Sequence, residues 1–282
     1  MVDRLAESGA VQYATLEHEV DAVPSRIGGA GFIEGSFKDF MDWSSSNVGV
    51  VPNALSARGG WYLSFYKELS SYGYNMTSAG DFFSTPDSVA NSITGNISFI
   101  IDVSLNDWTP TVGNCLVAKD GVSAGTRSYQ FAVRTDGKLQ LAFSINGTAI
   151  ITAVSTVAPS FIDGNRYHVA VERESTTGKV RFYTGTNRLN LTLLGTEVTS
   201  TSGAIADTSA TVQFGNLSSL AYELSGKVFD SEIYSGLAVT DNINAILKVD
   251  FDPTDWTTGS TWVSADTGET WTLNGNAKVF RT

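Results

Sequence analysis

An all-β, antiparallel sandwich is the fold class this sequence predicts, on three observations. From about residue 78 onward, apolar and polar residues alternate at period two. Turns bearing Gly, Asn and Asp punctuate those runs at short intervals. No helical periodicity of useful length lies between them; residues 237–248 (LAVTDNINAILK) allow a short helix at most.

Taken in order, NISFIIDVSL (96–105) is an apolar strand. Residues 127–147 (RSYQFAVRTDGKLQLAFSING) form a hairpin, with Tyr129, Phe131 and Val133 alternating before the turn and Leu139, Leu141 and Phe143 after it. Asp136-Gly137 supplies the positive φ that a tight hairpin turn demands. Residues 166–185 form a second hairpin, with Tyr167, Val169 and Val171 on one face. ATVQFGN (210–216) and GKVFDSEIYSG (226–236) continue the series. ETWTLNGNAKVF (269–280) predicts a closing hairpin about Asn274-Gly275.

The N-terminal part reads differently. Residues 1–58 form an irregular arm in which Gly and Ser alternate with Phe32, Phe37, Phe40 and Trp43. Such sequence is a poor independent core. Fully burying one Phe-sized side chain contributes roughly 1.5–3 kcal/mol, so these rings are expected at an interface. They dock on the sandwich or on another subunit, which makes 1–58 an attachment or oligomerisation segment. Residues 59–282 are then the sandwich, with 59–69 as its first strand.

Eighteen basic against twenty-nine acidic residues leave a formal charge of −11, with no Lys/Arg run to track phosphates. Nucleic acid is not an expected partner. Cys115 is the sole cysteine, which excludes an intrachain disulfide, and His18 and His168 cannot alone complete a zinc site. No cofactor is expected. The N-terminus lacks the pattern of a signal peptide, and no stretch reaches the ~20 apolar residues that cross a bilayer, so synthesis in the cytoplasm without membrane contact is expected. Five Asn-x-Ser/Thr sequons read as chance products of a Ser-, Thr- and Asn-rich chain.

Several motifs occur in a telling order: FFSTPDS (82–88), ITGNISFIIDVSLNDWTP (93–110), LVAKD (116–120), RSYQFAVRTDGKLQLAFS (127–144), DGNRYHVAVERESTTGKVRFYTG (163–185) and TGETWTLNGNAKV (267–279). This series resembles the laminin-G-like branch of the concanavalin A-like lectin/glucanase superfamily, in the version carried by structural proteins of tailed bacteriophages. The resemblance implies a concanavalin A-like jelly roll over about residues 78–282 and a virion structural protein. Capsid decoration or a minor capsid role comes first. The alternative is a tail or fibre component, or a glycan-binding module that adheres to host surface carbohydrate. Implied partners are other virion proteins of the capsid or tail, further copies of the chain on the particle, and a host glycan; the implied location is the virion, assembled in the host cytoplasm. Family members often carry Trp in the turn after the RFYTG-like strand, where this chain has Leu191.

The chemistry of the superfamily's glucanases needs Glu-x-Asp-x-Glu on one strand, or a bulged variant. Glu19 and Asp21 supply two members, but Val23 and Pro24 stand where the third would be. Within the sandwich, Glu172 and Glu174 share a face and no third acid follows. No catalytic residue is assigned, and an enzyme is not expected. Loop aromatics Trp108 and Trp256 are the candidates for stacking on a sugar, the other reading of Trp108 being a packed corner beside Pro110. Asp107, Asp120 and Asp136 are loop carboxylates of the kind that hold calcium in laminin-G-like domains. They are also ordinary turn residues, and no metal site is assigned.

Overall fold

The computed structural model describes residues 80–217, 222–256 and 258–277, Met76, and the backbone of short strands outside those ranges. The chain divides into two compact units, Met1–Ser70 and Ser71–Thr282. In the first, the described residues form three short antiparallel ladders: Val23–Pro24 with Glu34–Gly35, Gly31–Phe32 with Tyr62–Leu63, and Val50–Pro52 with Phe65–Lys67. Tyr62–Leu63 and Phe65–Lys67, in the stretch expected to be the sandwich's first strand, therefore pair inside the N-terminal unit. The first strand of the sandwich is Tyr72–Met76, and the division falls after Ser70, not after residue 58. Phe37, Phe40 and Trp43 lie outside the described residues, and of Phe32 only the backbone is described.

The second unit is the expected antiparallel sandwich. Among the described residues, one sheet has eight strands, in the order Ile151–Val154, Leu139–Phe143, Arg127–Val133, Asn114–Asp120, Val212–Phe214, Phe82–Thr85, Thr270–Asn274 and Thr261–Val263. The other runs Thr192–Leu193, Lys179–Gly185, Arg166–Arg173, Ile97–Leu105, Gly226–Ser235, Tyr72–Met76 and Lys278–Arg281, with Val198–Thr199 beside Lys179–Gly185 and Ile246–Phe251 beside Gly226–Ser235. Side chains two apart on a strand share a face. Ile97, Phe99, Ile101, Val103 and Leu105 thus point inward together and meet Tyr129, Phe131, Val133, Leu139, Leu141 and Phe143 from the facing sheet in one core. The hairpin register, Tyr129 opposite Phe143 through Val133 opposite Leu139, is the one the alternation predicts.

Two expectations are corrected. Thr270–Asn274 and Lys278–Arg281 do not pair with each other. The first joins Phe82–Thr85 in the eight-stranded sheet and the second joins Tyr72–Met76 in the other. The turn at Asn274-Gly275 carries the chain from one sheet to the other. Gly275 has φ +71°, and a Cβ there would collide with the Gly80 carbonyl oxygen, while Asp81 Oδ1 accepts the Asn276 N–H at 2.6 Å. The second correction is at 237–248, which is not helical. Two turns, closed by Asp241 N–H to Leu237 O and Asn244 N–H to Asp241 O, lead into the Ile246–Phe251 strand. Glu172 takes the Val239 and Thr240 N–H groups, which holds the segment against the sheet.

Candidate functional site

The outer face of the eight-stranded sheet is set by residues offset by one from the core row. On Arg127–Val133 these are Gln130 and Ala132, opposite to Tyr129, Phe131 and Val133. Register places Ala118 and Ala142 on either side of Gln130, and Cys115 and Gln140 on either side of Ala132. Small side chains flanked by amides make a trough, and it opens as a groove of about 450 Å³ whose lining includes Asp120, Arg127, Gln130, Arg134, Gln140 and Tyr222.

Each wall has an identifiable support. Tyr222 is 42% exposed and leans its ring on Gly113, where a Cβ would stand 3.1 Å from the ring. Arg134 donates to Asp136 Oδ1 at 3.1 Å and to Gln140 Oε1 at 3.2 Å. Asp120 accepts the Val122 N–H at 2.6 Å, and burial raises its carboxyl above the usual range. Val122 has φ +63°, a conformation that a β-branched residue rarely adopts and that costs roughly 1–3 kcal/mol. Its carbonyl accepts from Arg127 Nη2 at 2.8 Å, while the buried Arg127 Nε has no partner. Cys115 does not line the groove; it is buried with Ala118 and Leu217, burial pushes its thiol well up, and the Gln130 amide is its hydrogen-bond partner, so it remains a protonated thiol.

The two sequence candidates for sugar stacking lie elsewhere. Trp108 is 3% exposed, in T-shaped contact with Phe161 and Tyr167, and its backbone N–H donates to Asp163 Oδ1 at 2.8 Å. Its ring is part of the core, which removes it as a stacking surface. Trp256 is half-buried against the same core, and its indole N–H donates to Gly259 O. Neither is among the residues that line the groove. Asp107, Asp120 and Asp136 each hold their own turn, by Thr109, Val122 and Lys138 N–H respectively. The sequence offered one signal for the groove that alternation alone hides: Ala132 and Ala142 on strands whose other face is bulky.

The outer face of the second sheet carries the remaining polar chemistry. Glu172 is 1% exposed and accepts from Val239 N–H, Thr240 N–H, Thr240 Oγ1 and Tyr183 OH, at 2.5, 2.9, 2.9 and 3.0 Å. It is a structural anchor. Asp230 and Glu232 lie two apart on Gly226–Ser235, and Asp250 stands opposite Glu232. Burial, and then the neighbouring carboxylates, hold Asp230 well above its usual value and Asp250 at about 7. Glu232 is raised by burial and opposed by Arg188, with which it forms an ion pair. Beside them Asp102 binds Arg166 and sits 3.3 Å from His168 Nε2; burial lowers the His168 pKa, which keeps the imidazole neutral. Glu232 and Asp250 are 7% and 4% exposed, too covered for a glycosidic bond to be seated between them.

No protein-family model matches this sequence, and no curated protein matches it. Among solved structures, the chain is similar to a provisionally named carbohydrate binding protein from Bacteroides ovatus, at 12% identity and TM-score 0.54, over 88% of this chain and 72% of that one. The CBM40 module of the Ruminococcus gnavus IT-sialidase, bound to α2,3-sialyllactose, is similar at 10% identity and TM-score 0.45, over 61% and 96%. Domains LG4-5 of the mouse laminin α1 chain follow at 14% and 0.41, over 71% and 48%. The likeness is one of fold alone, and that fold is an antiparallel β-sandwich of the jelly-roll class.

Proposed function

We propose that residues 71–282 form a non-catalytic carbohydrate-binding module whose ligand site is the groove on the eight-stranded sheet. The observation that carries this reading is the lining: an exposed tyrosine ring beside a floor of alanines edged by glutamine amides, with charged groups at the walls. Sugars offer C–H faces that stack on rings and hydroxyls that pair with amides and carboxylates. One stacked ring contributes ~0.5–1.5 kcal/mol, and millimolar affinity needs about 4 kcal/mol, so the polar groups must supply the rest. Asp120, Gln130 and Gln140 stand on three neighbouring strands, which lets them do so from fixed positions. The Bacteroides ovatus protein of similar fold is named for carbohydrate binding, which supports the same class. On a glycan array followed by titration, the chain is expected to bind at micromolar to millimolar levels. Tyr222→Ala should weaken that binding about tenfold at unchanged melting temperature. Absence of any saturable glycan binding would refute the proposal.

The virion setting rests on the motif order of residues 82–279 alone. In this setting the module is a tail, fibre or capsid component that adheres to surface carbohydrate, and residues 1–70 attach it to the particle or to other copies. Deleting 1–70 is expected to leave a cooperatively melting β-protein that no longer joins particles. Incorporation of the truncated protein at normal occupancy would overturn the attachment role.

A further inference from the structure

We infer that the groove takes a run of about four consecutive units of an extended, β-1,4-linked glycan, and not a single sugar. This rests on the module reading above and adds the ligand's length and shape. The groove follows one strand from end to end. Arg127, the first residue of Arg127–Val133, lines it, and so do Val133 and Arg134 at the other end. Seven residues of extended strand cover about 23 Å. A pyranose unit in an extended chain covers roughly 5 Å, about one and a half residues of strand, so about four units match that length.

The side chains able to hold a sugar lie at the two ends. Tyr222, Thr135, Arg134 and Gln140 stand at one, and Val122, Arg127 and Ile150 at the other; all of them are partly or well exposed. Between them lie Ala132 and Ala142, too short to grip a ligand, and the single amide of Gln130. One ring can touch one end, and only a chain can use both. Each end alone is a weak site, and a ligand that spans them converts the second contact into an intramolecular one. The direction of the trough selects the linkage. Asp120 pairs with Arg127 and Asn114 with Val133, while Val133 pairs in turn with Leu139, so the trough keeps to the same three strands and runs along them. Rings joined β-1,4 advance in such a line. An α-1,4-linked chain coils and would leave the trough after a few units.

The test titrates the full chain with β-1,4-linked oligosaccharides of glucose, xylose and N-acetylglucosamine, from the single sugar to the hexamer, and with the malto series as the α-1,4 control. In at least one β-1,4 series, affinity should rise about tenfold with each added unit up to about four and then level off. The malto series should bind more weakly than that series at the tetramer and beyond. Tyr222→Ala and Ile150→Ala shorten the groove from opposite ends, and each should bring the levelling-off down to about three units. A dimer that binds as tightly as the tetramer overturns the inference and leaves the module reading standing. So does equal affinity for the malto series, or saturable binding of some other glycan when no β-1,4 series binds. The comparison of lengths uses the unmodified chain and so does not depend on either variant folding. A levelling-off unmoved in either folded variant also overturns it. Failure to bind any glycan at all overturns both.

Discussion

Replacing Asp250 with Asn is expected to stabilise the sandwich by about 2–4 kcal/mol at pH 8 and hardly at all at pH 4. Asp250 titrates near 3.8 in an unfolded chain and at about 7 in the fold, raised first by burial and then by Glu232, Asp252, Asp266 and Asp255. A folded pKa above the unfolded one means that the native state binds the proton more tightly. The resulting stability is complete below about pH 4 and is lost as pH rises through about 7. Asp230 and Glu232 are shifted in the same direction. Asp136, Glu197 and Asp207 are shifted oppositely, but they are solvent-screened and their contribution is small. Urea unfolding of both proteins at pH 5 and 8 measures the effect. An unmodified chain more stable at pH 8 than at pH 5, matched by the variant at both, would contradict it.

Glu172→Ala is expected to cost about 3–5 kcal/mol, because four donors lose a buried acceptor together. The segment from Leu237 to Ala245 covers Ile100, Ala170, Tyr183 and Tyr234 with Ala238, Val239 and Ala245, and Glu172 is its hydrogen-bond anchor. Amide exchange at Val239 and Thr240 should accelerate far more than exchange in the Arg127–Val133 strand. Glu172→Gln keeps the shape and some of the acceptors, so its loss should be smaller. Laminarin and lichenan should release no reducing ends with either protein or with the unmodified chain. Release abolished by Glu172→Gln would make Glu172 a catalytic group, against its role as an anchor.

Alternation made the core legible: Phe99, Phe131 and Leu141 are where period two places them, and the Asp136-Gly137 turn fixes their register. Alternation says nothing about which sheet a strand joins. Trp271 and Leu273 read the same whether the next strand folds back beside them or crosses over, so the turn at Gly275 was not legible. Outer faces were not legible for a related reason. On its strand Glu172 reads only as a residue off the core row, and the distant 237–247 segment, which covers it, makes it an anchor. Trp108 sits in a loop, and the rings that bury it, Phe161 and Tyr167, lie more than fifty residues later in the sequence. The groove needs three strands and Tyr222 brought together, which no local window contains. A carboxylate pair two apart, sought at Glu19 and Asp21, does occur in the described fold at Asp230 and Glu232.

The crossing turn at Gly275 decides when the sandwich can form. Tyr72–Met76 has its hydrogen-bonded neighbours at Gly226–Val228 and Lys278–Arg281. Ile97–Leu105 waits for Arg166–Arg173 on one side and Gly226–Ser235 on the other. During synthesis, both early strands leave the ribosome long before their partners exist. Chains dominated by such distant pairings fold slowly, and an unpaired apolar strand is prone to association with other nascent chains. Residues 97–105 therefore need protection until Gly226–Ser235 has been made, and Tyr72–Met76 until Lys278–Arg281 has been made, so yield should rise when translation is slowed or a holdase is supplied.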